Sequence, residues 1–162
     1  MKNLLLALVS VTLFTTTSFS QWVTNVVDNG FDSKYTIAYT DDGQSEYLKM
    51  ENYNGIVLYL SNTYICSDAV TVDVLFLVKN EYKKYKTNAK VSSNHKTVFF
   101  VNDLSADSVM LQDFKDATIV KLRVNDVICD SEVYEFSMKG STAAYEAVLK
   151  QWDTLLNIYW YG

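Results

Sequence analysis

From Trp22 onward, apolar and polar residues alternate with period two, which limits this chain to a fold built mainly from β-strands. Val70, Val72, Val74, Phe76 and Val78 make one apolar face. Thr71, Asp73, Leu75, Leu77 and Lys79 make the other, a mixed face expected of a central strand covered over part of its second side. Residues 118–125 alternate more cleanly, with Val120, Leu122 and Val124 opposite Ile119, Lys121, Arg123 and Asn125. Tyr134, Phe136 and Met138 give a third apolar set, and residues 97–101 a short β-branched and aromatic strand. Two more strands, at 22–27 and 35–40, flank the turn signal Asp28-Asn29-Gly30. No repeat, linker or break in composition divides the chain, so a single domain is expected.

The chain contains no proline and only five glycines, so its turns must rest on Asn, Asp and those few glycines. The hairpin around Asn54-Gly55 shows how one of them sets a register. A two-residue Asn-Gly loop would place Leu58 and Leu60 on the same face as Lys49 and Glu51. A three-residue loop, Tyr53-Asn54-Gly55, pairs Asn52 with Ile56 and gathers Leu48, Met50, Leu58 and Leu60 on one face. The burial pattern therefore predicts the longer loop, with Gly55 at positive φ.

Two helices interrupt the strands. Ser105 can cap a short one over residues 106–116, with Val109, Met110 and Phe114 toward the sheet. A second follows Gly140, capped by Ser141 or Thr142, and carries Ala144, Tyr145, Val148, Leu149, Trp152, Leu155, Leu156 and Tyr159 at helical spacing. It is expected to pack on the sheet and cover apolar area, in preference to presenting a partner-binding face.

Residues 1–20 have the pattern of a signal peptide, with Lys2, the apolar run Leu4–Phe14, and small residues at Ser18 and Ser20 before a cleavage point at Gln21. The run is shorter than the roughly 20 residues that span a bilayer. A secreted or periplasmic location for residues 21–162 is the expectation, and removing Lys2 makes the formal charge of −5 more negative. In such a compartment Cys66 and Cys129 are expected to form a disulfide, closing a loop of about 63 residues and contributing roughly 4 kcal/mol. The alternative is a nucleophilic Cys66 assisted by His95, the only histidine.

Positive evidence of catalysis is absent. The chain has no P-loop, no Gly-rich nucleotide loop, no His-Glu-x-x-His and no Gly-x-Ser-x-Gly, so no cofactor and no metal are expected. Asp28, Gly30 and Asp32, or Asp41-Asp42-Gly43, could offer oxygens to Ca²⁺, but turn chemistry accounts for both. Glu132 and Glu135 fall on opposite sides of a strand and do not converge. A small extracytoplasmic hydrolase would have to use Cys66 with His95 or another carboxylate pair.

The surface offers a different signal. Lys79, Lys83, Lys84, Lys86, Lys90 and Lys96 crowd one stretch, either as an edge strand guarded by lysine or as a polyanion site. A net acidic chain with a single Arg disfavours nucleic acid. Tyr47, Tyr53 and Tyr59 fall on or near the outer hairpin face, and Tyr82 and Tyr85 interleave with Lys83 and Lys84. Exposed tyrosines on a sheet suit contacts with sugars or proteins, although Tyr also fills strand positions by propensity alone.

The segment Phe136-Ser137-Met138-Lys139-Gly140-Ser141-Thr142-Ala143-Ala144 resembles the closing strand–Gly–helix of small secreted bacterial β-sandwich proteins of the invasion-associated locus B type. That resemblance implies a bacterial envelope or extracellular setting and no particular activity. The expectation is a mainly β, antiparallel, sandwich-like domain with a short inserted helix and a packed C-terminal helix. It would be an exported, non-enzymatic binding module for an envelope protein or glycan, with a structural surface protein as a further alternative.

Overall fold

A computed structural model describes residues 21–28, 34–52, 55–100, 104 and 108–160. Residues 1–20, Asn29, Gly30, Asp32 and Tyr53 lie outside them. The elements run β1 (Val23–Val27), β2 (Tyr35–Asp41), β3 (Tyr47–Asn52), β4 (Ile56–Ser61), β5 (Ala69–Val78), β6 (Glu81–Val91), β7 (Thr97–Phe100), α1 (Val109–Asp116), β8 (Ile119–Asn125), β9 (Glu132–Ser137) and α2 (Ser141–Trp160). The strands form one nine-stranded sheet in the order β1-β2-β3-β4-β7-β6-β5-β8-β9, and every described pairing is antiparallel.

The mainly β expectation holds, but the layers differ from a sandwich of two sheets. One sheet curls until its ends approach. The Trp22 amide, just ahead of β1, donates to the Lys139 carbonyl just after β9 at 3.1 Å. The concave face holds the residues that alternation marked as apolar, among them Leu48, Met50, Leu58, Leu60, Val72, Phe76, Leu122 and Phe136, all buried. Both helices fill the concavity. Phe114 of α1 meets Trp22 edge-on at 5.8 Å and Phe76 of β5 at 6.2 Å, so one ring links the residue before β1 to an interior strand of the sheet. A single layer closed on helices thus buries the apolar face that a second sheet would otherwise cover.

The predicted hairpin register is the observed one, with Asn52 opposite Ile56, Met50 opposite Leu58 and Leu48 opposite Leu60. Gly55 has φ +125°, as the longer loop requires. Elsewhere the shortage of Gly and Pro forces ordinary residues into the left-handed region. Lys79 and Asn80, the two residues between β5 and β6, sit at φ 48° and 68°, the mirror-image turn that a two-residue hairpin needs.

The helix starts need correction. The cap of α1 is Ser108, whose Oγ accepts from the Leu111 amide at 3.1 Å; Ser105 lies outside the described residues. The later start turns Val109 out to solvent and brings Leu111 in beside Met110 and Phe114. At α2, the hydroxyls of Ser141 and Thr142 do not cap their own helix. They donate to the carbonyls of Phe114 and Lys115, tying the start of α2 to the end of α1. Gly140 precedes α2 at φ +88°, a conformation that a side chain would strain. Ala144, Tyr145 and Val148 pack inward as expected, whereas Leu149 is exposed.

The lysine-rich strand β6 lies inside the sheet order, yet β7 pairs only with Ala89–Val91. Residues 81–88 therefore have no described strand partner on that side. The expectation of an edge strand is therefore corrected: β6 has β5 on one side and β7 on the other, and of the six lysines only Lys83, Lys84 and Lys86 fall in this stretch.

Cys66 and Cys129 form the expected disulfide, joining the β4–β5 connection to the β8–β9 connection. Asp126 organises both loops around it. Its carboxylate accepts from the amides of Cys66 at 2.7 Å, Ser67 at 3.2 Å, Ile128 at 2.9 Å and Cys129 at 3.4 Å, and from the Ser67 hydroxyl. Burial works to raise its pKa, but these bonds outweigh it and hold the carboxyl well below the usual range. A depressed folded pKa stabilises the protein above the unfolded value, near 3.8, and that contribution is lost as pH falls through the folded value. Asp126→Asn should therefore cost about 2 kcal/mol at pH 7. The gap from wild type should narrow in urea titrations below about pH 4; an equal gap at pH 7 and pH 2.5 would contradict this assignment.

Candidate functional site

The convex face of β2, β3, β4 and β7 carries the residues opposite the core. Direct pairing places Tyr39 beside Lys49, Lys49 beside Tyr59, Tyr59 beside Phe99 and Phe99 beside Lys90. Residues paired in this way share a face, so the five make one row across five strands. Tyr47 flanks the row two residues before Lys49.

Several members of the row and Tyr47 are in contact. The rings of Tyr59 and Phe99 lie 5.5 Å apart and tilted by 36°, and Tyr39 meets Tyr47 edge-on at 6.2 Å. The Lys49 ammonium lies 5.5 Å from the centroid of Tyr47 and 5.9 Å from that of Tyr59, within cation–π range. Tyr59 donates its hydroxyl to Glu51 Oε1. Burial of the phenol and this bond to a carboxylate both raise the Tyr59 pKa, so it stays a neutral donor. Beside these rings a shallow groove of about 250 Å³ is lined by Ile37, Tyr39, Tyr47 and Lys49.

The structure sorts the sequence-derived candidates. Tyr47 and Tyr59 stand together on this face, and Tyr53 lies outside the described residues. Tyr82 and Lys84 share the convex face but on β6, where Lys121 Nζ lies 5.9 Å from the Tyr82 ring. Lys83 is opposite the buried Phe76, hence on the other face, and pairs with Glu81 at 3.0 Å. Tyr85 also turns inward. Its hydroxyl donates to Asp113 of α1 at 2.5 Å, its ring meets Phe76 at 5.9 Å, and burial with the Asp113 bond pushes its pKa up to about 12. Lys83 and Tyr85 therefore leave the proposed surface.

Tyr39, Lys49, Phe99 and Ile37 were not among the candidates. Alternation places Ile37 and Tyr39 on one face of β2, which was a usable signal. The neighbour relation of Tyr59 and Phe99 depends on the pairing of β4 with β7, and no local pattern announces that contact.

The Cys66–His95 reading loses its nucleophile. Cys66 is held in the disulfide, so it has no thiol for His95 to activate. His95 Nε2 lies 3.7 Å from Asp68 instead. Cys66, Cys129 and Asp126 converge closely enough to suggest a metal site, but the sulfurs are oxidised and the carboxylate is occupied by amides. The Asp41 and Asp42 carboxylates accept from the amides of Gly43 and Gln44, which is turn chemistry. Glu46 is raised, first by burial and further by Asp42 and Glu132, where the β2–β3 turn approaches β9. Glu132 and Glu135 diverge as expected, bonding Tyr134 and Lys121 respectively.

No helix among the described residues is long and apolar enough to cross a membrane. Compared with known proteins, the chain matches no family model, no curated protein and no solved structure.

Proposed function

We propose that this protein is an exported, non-enzymatic binding module that holds a glycan on the convex face of β2, β3, β4 and β7. The observation that carries this reading is the contiguous Tyr39–Lys49–Tyr59–Phe99 row beside a groove. Flat, partly exposed rings offer apolar faces to the C–H face of a sugar, while phenol hydroxyls and an ammonium bond its hydroxyls. A rigid sheet holds these groups in place before binding, which lowers the ordering cost. Export is supported by the signal-like residues 1–20 and by a disulfide of the kind that persists in oxidising compartments. The strand–Gly–helix resemblance to secreted bacterial proteins agrees with this setting.

Retention on immobilised envelope polysaccharides tests the reading. Tyr47→Ala and Tyr59→Ala should each weaken retention about tenfold, equivalent to roughly 1.4 kcal/mol, and Tyr59→Phe should retain most of it because the ring remains. A structural surface protein predicts no saturable retention, or retention indifferent to these substitutions.

A further inference from the structure

We infer that the groove beside Tyr39 and Tyr47 is selective for an acidic sugar, a uronic acid residue whose carboxylate meets Lys49; this rests on the glycan-binding reading above. The decisive observation is an ammonium beside the groove that has no ion-pair partner. Lys49 makes no ion pair among the described residues, and its ammonium lies over the rings of Tyr47 and Tyr59. The carboxylate that shares its strand and face, Glu51, already accepts the Tyr59 hydroxyl. Asp41, opposite Tyr47 on the same face, accepts from the Gly43 amide. An ammonium at the lip of an aromatic groove, with the two acids of its face bonded to other groups, is complementary to an anion carried on a ring that can stack.

Lysines without an ion pair continue along one direction. Lys90 follows Phe99 in the row, and Lys86 and Lys84 lie on the same face of β6 by alternation. None of these three forms an ion pair among the described residues, although Asp73 of β5 lies opposite Lys86. From β2 to β6 the row crosses four inter-strand spacings, roughly 19 Å at about 4.8 Å each. A chain of uronic acid residues laid from the groove over Tyr59 and Phe99 would meet a cation at both ends of that path. Across β2, β3, β4, β7 and β6, Lys49, Lys84, Lys86 and Lys90 outnumber Asp41 and Glu51 on this face, in a protein of net charge −5, which favours an anionic ligand here.

Calorimetric titration of the whole exported chain with trigalacturonic acid, and with its fully methyl-esterified form, tests this inference. The acid should bind, and the ester should bind at least tenfold more weakly. Lys49→Gln should lower affinity for the acid about tenfold while leaving the thermal midpoint unchanged, and added salt should reduce the difference between the two proteins. Equal binding of acid and ester, or an unchanged affinity in Lys49→Gln, overturns the acidic selectivity. If the ester binds as well as the acid and Tyr59→Ala abolishes both, the glycan-binding reading stands and only the selectivity fails. If neither trisaccharide binds, the selectivity falls outright, and polysaccharide retention by the Tyr47 and Tyr59 variants separately decides the broader reading.

Discussion

Phe114→Ala is expected to lower the unfolding free energy by about 4 kcal/mol, in the middle of the range for aromatic truncation in a core. Phe114 is fully buried and lies between Trp22 and Phe76, edge-on to both. Its position explains the size of the effect. It is the ring by which α1 fills the concavity of the curled sheet, and its removal leaves a hole bordered by β1 on one side and β5 on the other. The neighbouring tie between Tyr85 and Asp113 joins the same helix to β6, so α1 cannot easily slide to close the gap. Urea denaturation checks this: the midpoint should fall with little change in slope, and Phe114→Leu should cost less than half as much. A loss below about 1 kcal/mol would mean that α1 is not needed to close the core.

Breaking the disulfide is expected to have an effect of similar size. The bridge spans a sequence separation of 63, and the chain-entropy model assigns it roughly 4 kcal/mol. Replacing both Cys66 and Cys129 by Ala should lower the thermal midpoint by roughly 10 to 20 °C, and reduction of the wild type should reproduce that shift. The bridge and Asp126 hold the same two loops, so their contributions should not add. Asp126→Asn in the Cys-free background should cost less than in the wild type, because Cys66 and Ser67 are then no longer fixed opposite the carboxylate. Full additivity would separate the two and contradict the geometry around Asp126.

Local pattern and local chemistry made much of this fold readable from the chain. The inward faces of β5, β8 and β9 follow directly from alternation, and the β3–β4 register follows from the conflict between Leu58, Leu60 and Lys49 in the shorter loop. β6 was harder for a physical reason. Its concave positions are Lys83, Tyr85, Thr87 and Ala89, with too little contrast against Tyr82, Lys84 and Lys86 for the pattern to distinguish the faces. That is why Tyr85 looked like a surface residue although it bonds α1. Ser105 and Ser108 are both competent caps, so local signals could not place the start of α1. The curl of the sheet and the placement of β7 between β4 and β6 depend on long-range pairing. Only part of the candidate site was legible for the same reason: Tyr47 and Tyr59 belong to one hairpin, whereas Phe99 and Lys90 reach them only through β7 and β6.

The central claim is that ligand binds on the convex face of β2, β3, β4 and β7. Amide chemical shifts of the isotope-labelled protein, recorded during titration with oligosaccharides prepared from the most strongly retained polysaccharide, test it most directly. The account predicts that the largest changes cluster at Tyr39, Tyr47, Lys49, Tyr59 and Phe99 and are lost in Tyr59→Ala. Changes centred on α1, α2 or the β8–β9 end, with this row unmoved, would contradict it.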